Sequence, residues 1–176
     1  MVSIAESITA YMTFVSRCGM SPAYSEYLFY GPIVQTAADK GWDIKTEVTV
    51  ERTGKRGDNP KIDFYFDHTN YSQLAIAMEV KYIHVKKKRK NDVVSIVNDL
   101  VKLRGLVNNE LCKGKQLFRF VILIGDHTER AENKNGYKLP KNLPRVDGLD
   151  DNVKEYYQTF YHTRYTDYGC TVLEAT

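Results

Sequence analysis

Two apolar stretches constrain this chain more than anything else in it: Leu74-Ala75-Ile76-Ala77-Met78 and Leu117-Phe118-Arg119-Phe120-Val121-Ile122-Leu123-Ile124. Neither keeps the polar–apolar alternation of a strand with one wet face. Strands of this kind are buried on both faces and belong inside a sheet. The segment from Trp42 does alternate: Ile44, Thr46, Val48 and Val50 are interleaved with Asp43, Lys45, Glu47 and Thr49, the pattern of a half-buried strand. A polar, breaker-rich turn follows over Arg52–Pro60, then a strand over Lys61–Phe66, a turn around His68–Ser72 and a longer strand over Leu74–Val85. These three strands are expected to form an antiparallel meander.

Helices are expected on either side of it. Ser3-x-x-Glu6 reads as a capping box before Ile4, Ile8, Tyr11, Met12 and Val15, with Cys18-Gly19 closing the helix. Ser21-Pro22 opens a second helix towards Lys40, closed by Gly41, and Gly31-Pro32 kinks or splits it. Beyond the meander, Asn91 or Asp92 caps a helix carrying Val93, Val94, Val97, Leu100, Val101, Leu103 and Leu106. The connection from Val85 to Leu117 is long enough for a crossover, so Leu117–Ile124 is expected to be central and parallel to its neighbour. Gly125–Asp150, with Pro140 and Pro144, reads as a surface excursion. A last helix from Asp150 or Asp151, with Val153, Tyr156, Tyr157 and Phe160 inward, and a closing edge strand at Gly169–Leu173 complete the chain.

The expected fold class is therefore α/β with a mixed sheet, in one domain over residues 1–176, with a core at about 21–124 and a C-terminal helix and strand at about 151–173. A length of 176 residues, 43% hydrophobic and 27% charged, suits one soluble core. No apolar run reaches the roughly 20 residues of a membrane-spanning helix, so no membrane partner is expected. The N-terminal residues lack a basic region followed by an apolar one, which makes a cytoplasmic location the expectation.

Cys18, Cys112 and Cys170 match neither a disulfide framework nor a zinc pattern, and the four histidines form no H-x-x-x-H pair. Any metal should be a hard ion held by carboxylates. Two adjacent strands offer such groups, in Pro60-Lys61-Ile62-Asp63 and Glu79-Val80-Lys81. Side chains alternate along a strand, so Glu79 and Lys81 share a face while Val80 enters the opposite layer. If the strands pair through the 68–72 turn, Asp63 approaches Glu79, and two carboxylates held together favour a divalent cation. Lys81 would then stand beside the attacking water or a scissile phosphate, where an ammonium stabilises developing negative charge. The structural alternative is an exposed pair of charges in cross-strand ion pairs. Against it stands the apolar run immediately before Glu79, because charges at the end of such a strand need a partner.

Asp63…Glu79-x-Lys81, on consecutive strands after a helix, resembles the PD-(D/E)xK nuclease superfamily, with its restriction-endonuclease-like fold. The likeness covers about residues 21–124 and departs in one respect, since Pro60 lies three residues before Asp63 instead of directly before it. It implies a divalent-metal-dependent nuclease, an endonuclease or exonuclease, that hydrolyses nucleic acid, DNA being the first expectation, to 5′-phosphate and 3′-hydroxyl ends. It further implies Mg²⁺ or Mn²⁺ bound by Asp63, Glu79 and the Val80 carbonyl, with Glu26 of the preceding helix as a further ligand. Glu26 near a helix start has a plainer reading as a charge favouring the macrodipole. The rival to an enzyme is a catalytically inactive nuclease-like subunit that binds nucleic acid or serves in assembly. Oligomeric state is left open by the sequence, a homodimer being one way for a single small domain to cut both strands of a duplex.

Net charge is +3, and Lys86-Lys87-Lys88-Arg89-Lys90 alone carries +5, so the remaining residues sum to −2. Such a run is ordinarily a solvated loop; beside a phosphodiester-cleaving site it becomes a candidate contact for the nucleic-acid backbone. Arg52, Lys55 and Arg56 could extend that footprint, and Lys61 reads as solvated.

Overall fold

The computed structural model describes residues 1–20, 25–50, 59–83, 90–108, 110–126, 157–165 and 168–176. Within them the chain is a mixed α/β structure: α1 (Val2–Arg17), a 3₁₀ turn (Glu26–Phe29) running into α2 (Tyr30–Ala38), β1 (Trp42–Thr49), β2 (Lys61–His68), β3 (Leu74–Ile83), α3 (Lys90–Arg104), β4 (Gln116–Asp126), β5 (Tyr157–Tyr165) and β6 (Tyr168–Ala175).

The strands form one six-stranded sheet in the order β1-β2-β3-β4-β6-β5. As the alternating and apolar segments required, β1, β2 and β3 form an antiparallel meander. The α3 crossover then brings β4 in parallel to β3, from Leu74↔Gln116 to Ile83↔Gly125. Both apolar strands are buried on two faces. On one side Phe64, Phe66, Met78, Val80, Ile122 and Val172 pack against Ile4, Ile8 and Met12 of α1, Phe29, and Ile33 of α2. On the other, Tyr65, Ala75, Ala77, Val121, Leu123 and Leu173 pack against Ile96, Leu100 and Leu103 of α3 and Leu106 beyond it. Each large side chain so buried stabilises the fold by about 1.5–3 kcal/mol relative to exposure. Along α3, Ile96, Leu100 and Leu103 carry the contact, whereas Val101 stays half exposed.

Several boundaries differ from the sequence expectation. Helix α1 starts at Val2 with Met1 as its N-cap, so Ser3 has a helical backbone and no side-chain cap forms. Its other end is a Schellman closure, in which Gly19 (φ 73°) donates to Ser16 and Met20 to Val15. Gly31-Pro32 lies in the first turn of α2, at the junction with the 3₁₀ turn, where a proline forfeits no helical hydrogen bond. The expected start at Ser21-Pro22, the turn with Arg52, Lys55 and Arg56, and the excursion before residue 150 lie outside the described residues.

Two corrections concern the C-terminus. The expected helix through Tyr157 and Phe160 is instead β5. Its aromatic and threonine content favours a strand, and a register shift between Thr159 and Tyr161 disguises the two-residue period. That bulge puts Tyr157 into the α3-side core and Tyr161 against the α1-side core, and leaves Phe160 exposed. Val153 and Tyr156 fall outside the described residues. β6 is not an edge strand, because it pairs with β4 and β5. Cys170 and Val172 enter one core while Leu173 and Ala175 enter the other, a two-sided burial that suits an interior position.

Leu100 ties α3 to the sheet. Leu100→Ala is expected to lower stability by about 2–5 kcal/mol in denaturant unfolding, the cost of a cavity under a packed helix.

Candidate active site at the divergence of two strands

β2 remains paired with β1 down to Thr49↔Lys61, yet its pairing with β3 stops at Phe64↔Met78. Asp63 and Glu79, the next pair in register, lie where the two strands part. The lost ladder bond is replaced by a side chain: the Asp63 carboxylate accepts from the Val80 N–H at 2.7 Å. A hydrogen bond to an ionised acceptor of this kind contributes about 1.5–3 kcal/mol. The second Asp63 oxygen accepts from the Tyr30 hydroxyl at 3.0 Å. Tyr30 also lies 3.1 Å from Glu47, which has φ 52° and sits between the paired positions Thr46↔Phe64 and Val48↔Ile62. Positive φ is rare for a residue with a side chain, and such strain concentrates near functional sites.

Glu79 and Lys81 lie on the α3 side of β3, as alternation required, with Val80 in the α1/α2-side core. They do not pair across strands. Glu79 is only 2% exposed and meets Lys102 at 2.5 Å. Lys81 meets Asp99 at 3.3 Å and Glu26 at 3.8 Å. Asp99 in turn contacts Lys102 at 3.1 Å. Glu26 approaches the Tyr82 N–H at 3.4 Å, so the 3₁₀ turn before α2 reaches the C-terminal end of β3. Asp63, Glu79, Lys81 and Glu26 thus lie in one neighbourhood, where Glu26, Glu79 and Lys81 are each shifted by the charges around them.

Three participants escaped the sequence reading: Tyr30, Asp99 and Lys102. Asp99 and Lys102 are one helical turn apart, at i and i+3, on a helix read only for its apolar stripe. Both charged residues flank Leu100 and Leu103, so they border the buried face, and that was the available signal.

The electrostatics follow from placing two buried carboxylates, Glu79 and Asp99, and two partly buried ones, Asp63 and Glu26, beside two ammonium groups. Burial, then the charges of Asp63 and Asp99, push Glu79 up to about 8 against the pull of Lys102. Burial also raises Glu26, with Lys81 and the Tyr82 N–H opposing. For Lys81, burial works to lower the pKa, but Asp99 and Glu26 together outweigh it and raise it. Lys81 is therefore a fixed cation. Lys102 is raised likewise, burial being overcome by Glu79 and Asp99. Tyr30 is raised by burial and by Asp63, which keeps its hydroxyl a donor.

The donor set is all oxygen, with a formal excess of two negative charges, which suits a hard divalent ion. Glu79 Oε1 and Asp99 Oδ2 are both buried, each with an ammonium at ion-pair distance, that of Lys102 and that of Lys81 respectively. Among the described residues no three His, Cys, Asp or Glu side chains are drawn together closely enough to hold a metal. Glu79 turns towards Lys102 instead. Of the basic run, Lys86, Lys87, Lys88 and Arg89 lie outside the described residues, and Lys90 opens α3. Lys61 is exposed, and its carbonyl accepts from Lys102 at 2.8 Å. Among the described residues no helix is long and apolar enough to cross a membrane.

A scan against models of known protein families, and searches of curated proteins and of solved structures, found no match to this chain.

Glu79 has a folded pKa near 8 against an ordinary 4.5. Between those values the folded state holds a proton that the unfolded state has lost, so this group's stabilising contribution is full below about pH 4.5 and is lost as pH rises through about 8. Glu79→Gln is expected to flatten the fall in stability between about pH 5 and about pH 8, measured by urea unfolding in EDTA.

Proposed function

We propose that this chain is a divalent-metal-dependent nuclease of the PD-(D/E)xK kind, built on a restriction-endonuclease-like core, and that it hydrolyses phosphodiester bonds of nucleic acid, DNA foremost. One observation carries the reading: Asp63 is bound to the backbone between Glu79 and Lys81 where β2 leaves β3, and Glu26 reaches Lys81 from the turn before α2. The order of elements supports it too, since a helix, a three-stranded meander, a crossover helix and a parallel strand follow one another as that core requires.

Asp63, Glu79 and the Val80 carbonyl would hold Mg²⁺ or Mn²⁺, with Glu26 as a further ligand. Within an extended strand the N–H and C=O of one residue point to the same side. The Val80 carbonyl therefore faces the gap that its N–H shares with Asp63. When bound, the ion supplies Lewis acidity at a phosphoryl oxygen and a lowered pKa for water.

The remaining roles belong to the chain. Lys81, kept charged by Asp99 and Glu26, stabilises negative charge accumulating on the phosphate. This assigns it an electrostatic role in preference to that of a base. Tyr30 holds Asp63 by donating to its second oxygen. The five consecutive cations at 86–90 follow β3 in sequence and are suited to phosphate contacts that read no bases.

A second reading is favoured by one contact, that of Lys102 with Glu79. An ammonium already neutralising the central carboxylate suits a catalytically inactive nuclease-like subunit that binds nucleic acid or serves in assembly. The two readings separate in a single assay. Plasmid, linear duplex, single-stranded DNA and RNA are incubated with the protein in Mg²⁺, Mn²⁺ or EDTA. Metal-dependent cleavage is expected, with Glu79→Ala and Lys81→Ala each slowed by about 10²-fold or more while still binding the substrate. Binding by all three proteins without cleavage of any substrate would overturn the enzyme reading.

A further inference from the structure

Lys102 is held as few surface lysines are. Its ammonium meets Glu79 Oε1 at 2.5 Å, the Lys61 carbonyl at 2.8 Å and Asp99 Oδ1 at 3.1 Å. Three oxygens from β3, β2 and α3 match the three donors of a lysine ammonium. Its side chain is 19% exposed, and that of Glu79 only 2%. The pair thus spans the mouth between β2 and β3.

We infer that Lys102 is the residue that sets the cation affinity of this site: its ammonium occupies the cation position at Glu79, and a divalent ion binds by displacing it. The inference rests on the metal-site reading given under Proposed function. A carboxylate as buried as Glu79 needs a positive partner. With Lys102 in place that need is met from within the chain, so a metal ion gains only the difference between itself and an ammonium. Without Lys102, Glu79 would face Asp63 and Asp99 uncompensated, and the same ion would relieve their repulsion in full. Displacement is inexpensive for Lys102, because Asp99 and the Lys61 carbonyl remain as partners. Asp99 is suited to receive it, since it already bridges Lys102 and Lys81.

A purely structural ion pair predicts something different. Its removal would destabilise the fold and leave metal affinity unchanged or weakened. The discriminating measurement is the Mn²⁺ dissociation constant, read from the EPR signal of free Mn²⁺, for wild type, Lys102→Met, Lys102→Gln, Lys102→Arg and Glu79→Gln. Lys102→Met and Lys102→Gln are expected to bind Mn²⁺ about tenfold or more tightly than wild type. Lys102→Arg, which keeps the charge, should stay near wild type, and Glu79→Gln should lose the site. Wild-type or weaker affinity in both neutral variants overturns the inference. Should both neutral variants fail to fold, the wild-type protein labelled with ¹³C-lysine decides. Saturating Mg²⁺ should move the Lys102 ¹³Cε resonance, assigned from its loss in Lys102→Arg, and leave it unmoved in Glu79→Gln. A Lys102 resonance that stays in place in wild type overturns the inference. Cleavage by wild type combined with unchanged Mn²⁺ affinity in the neutral variants sinks the inference and spares the nuclease reading. Tighter Mn²⁺ binding without cleavage by any protein does the reverse.

Discussion

The hydrogen bond from the Val80 N–H to the Asp63 carboxylate is the contact on which the site depends. A sheet closes by pairing every backbone donor, and buried donors that go unpaired are costly. Where β2 departs from β3 after Phe64↔Met78, that demand is met by a side chain. One carboxylate thereby satisfies the backbone and becomes fixed at the mouth of a gap in the sheet. Glu79, on the residue before Val80, is then held beside it. The separation of the strands provides room for the site, and Asp63 keeps the separation from being a defect.

Burial on both faces of the sheet makes the charges consequential. α3 covers one side through Ile96, Leu100 and Leu103, and in doing so brings Asp99 and Lys102 over Glu79 and Lys81. Burial makes Glu79 and Glu26 resist ionisation, and Lys81 and Lys102 keep their charge through the carboxylates around them. Neutralisation is shared: Lys81 serves Asp99 and Glu26, while Lys102 serves Glu79 and Asp99. Each of these ammonium groups is largely buried and has two carboxylate partners. This is what distinguishes the network from exposed ion pairs, which contribute about 0–1 kcal/mol. The Lys45–Asp67 contact at 3.6 Å, with a largely exposed lysine, is one of those.

Much of the architecture was legible because it rests on periods. The alternation over Trp42–Val50 and the unbroken apolar runs at Leu74–Met78 and Leu117–Ile124 each specify how many faces a strand buries. The length of the Val85–Leu117 connection specifies a crossover and hence the parallel pairing of β3 with β4. The reading failed where a local irregularity broke the period. The bulge at Thr159–Tyr161 shifts side chains between faces, and the three-residue spacing of Tyr157 and Phe160 in the sequence imitates that of a helix. Ser3-x-x-Glu6 misled for a different reason: a capping motif acts only in an extended N-cap conformation, and the helix begins before it.

By itself the sequence determined that Glu79 and Lys81 share a face of one strand, that Val80 points the other way, and that Asp63 lies near them once the meander closes. Those facts follow from covalent geometry and a two-residue period, which need no distant partner. Which groups neutralise these charges was decided only by the tertiary structure. Tyr30, Asp99 and Lys102 are separated from Glu79 by a turn, a strand or a crossover, and nothing local marks them as its neighbours. Their positions depend on how α2 and α3 dock on the two faces of the sheet, and docking is governed by the shape and burial of apolar side chains. The charges are carried to the site by residues such as Leu100 and Ile33, whose own chemistry is silent about it.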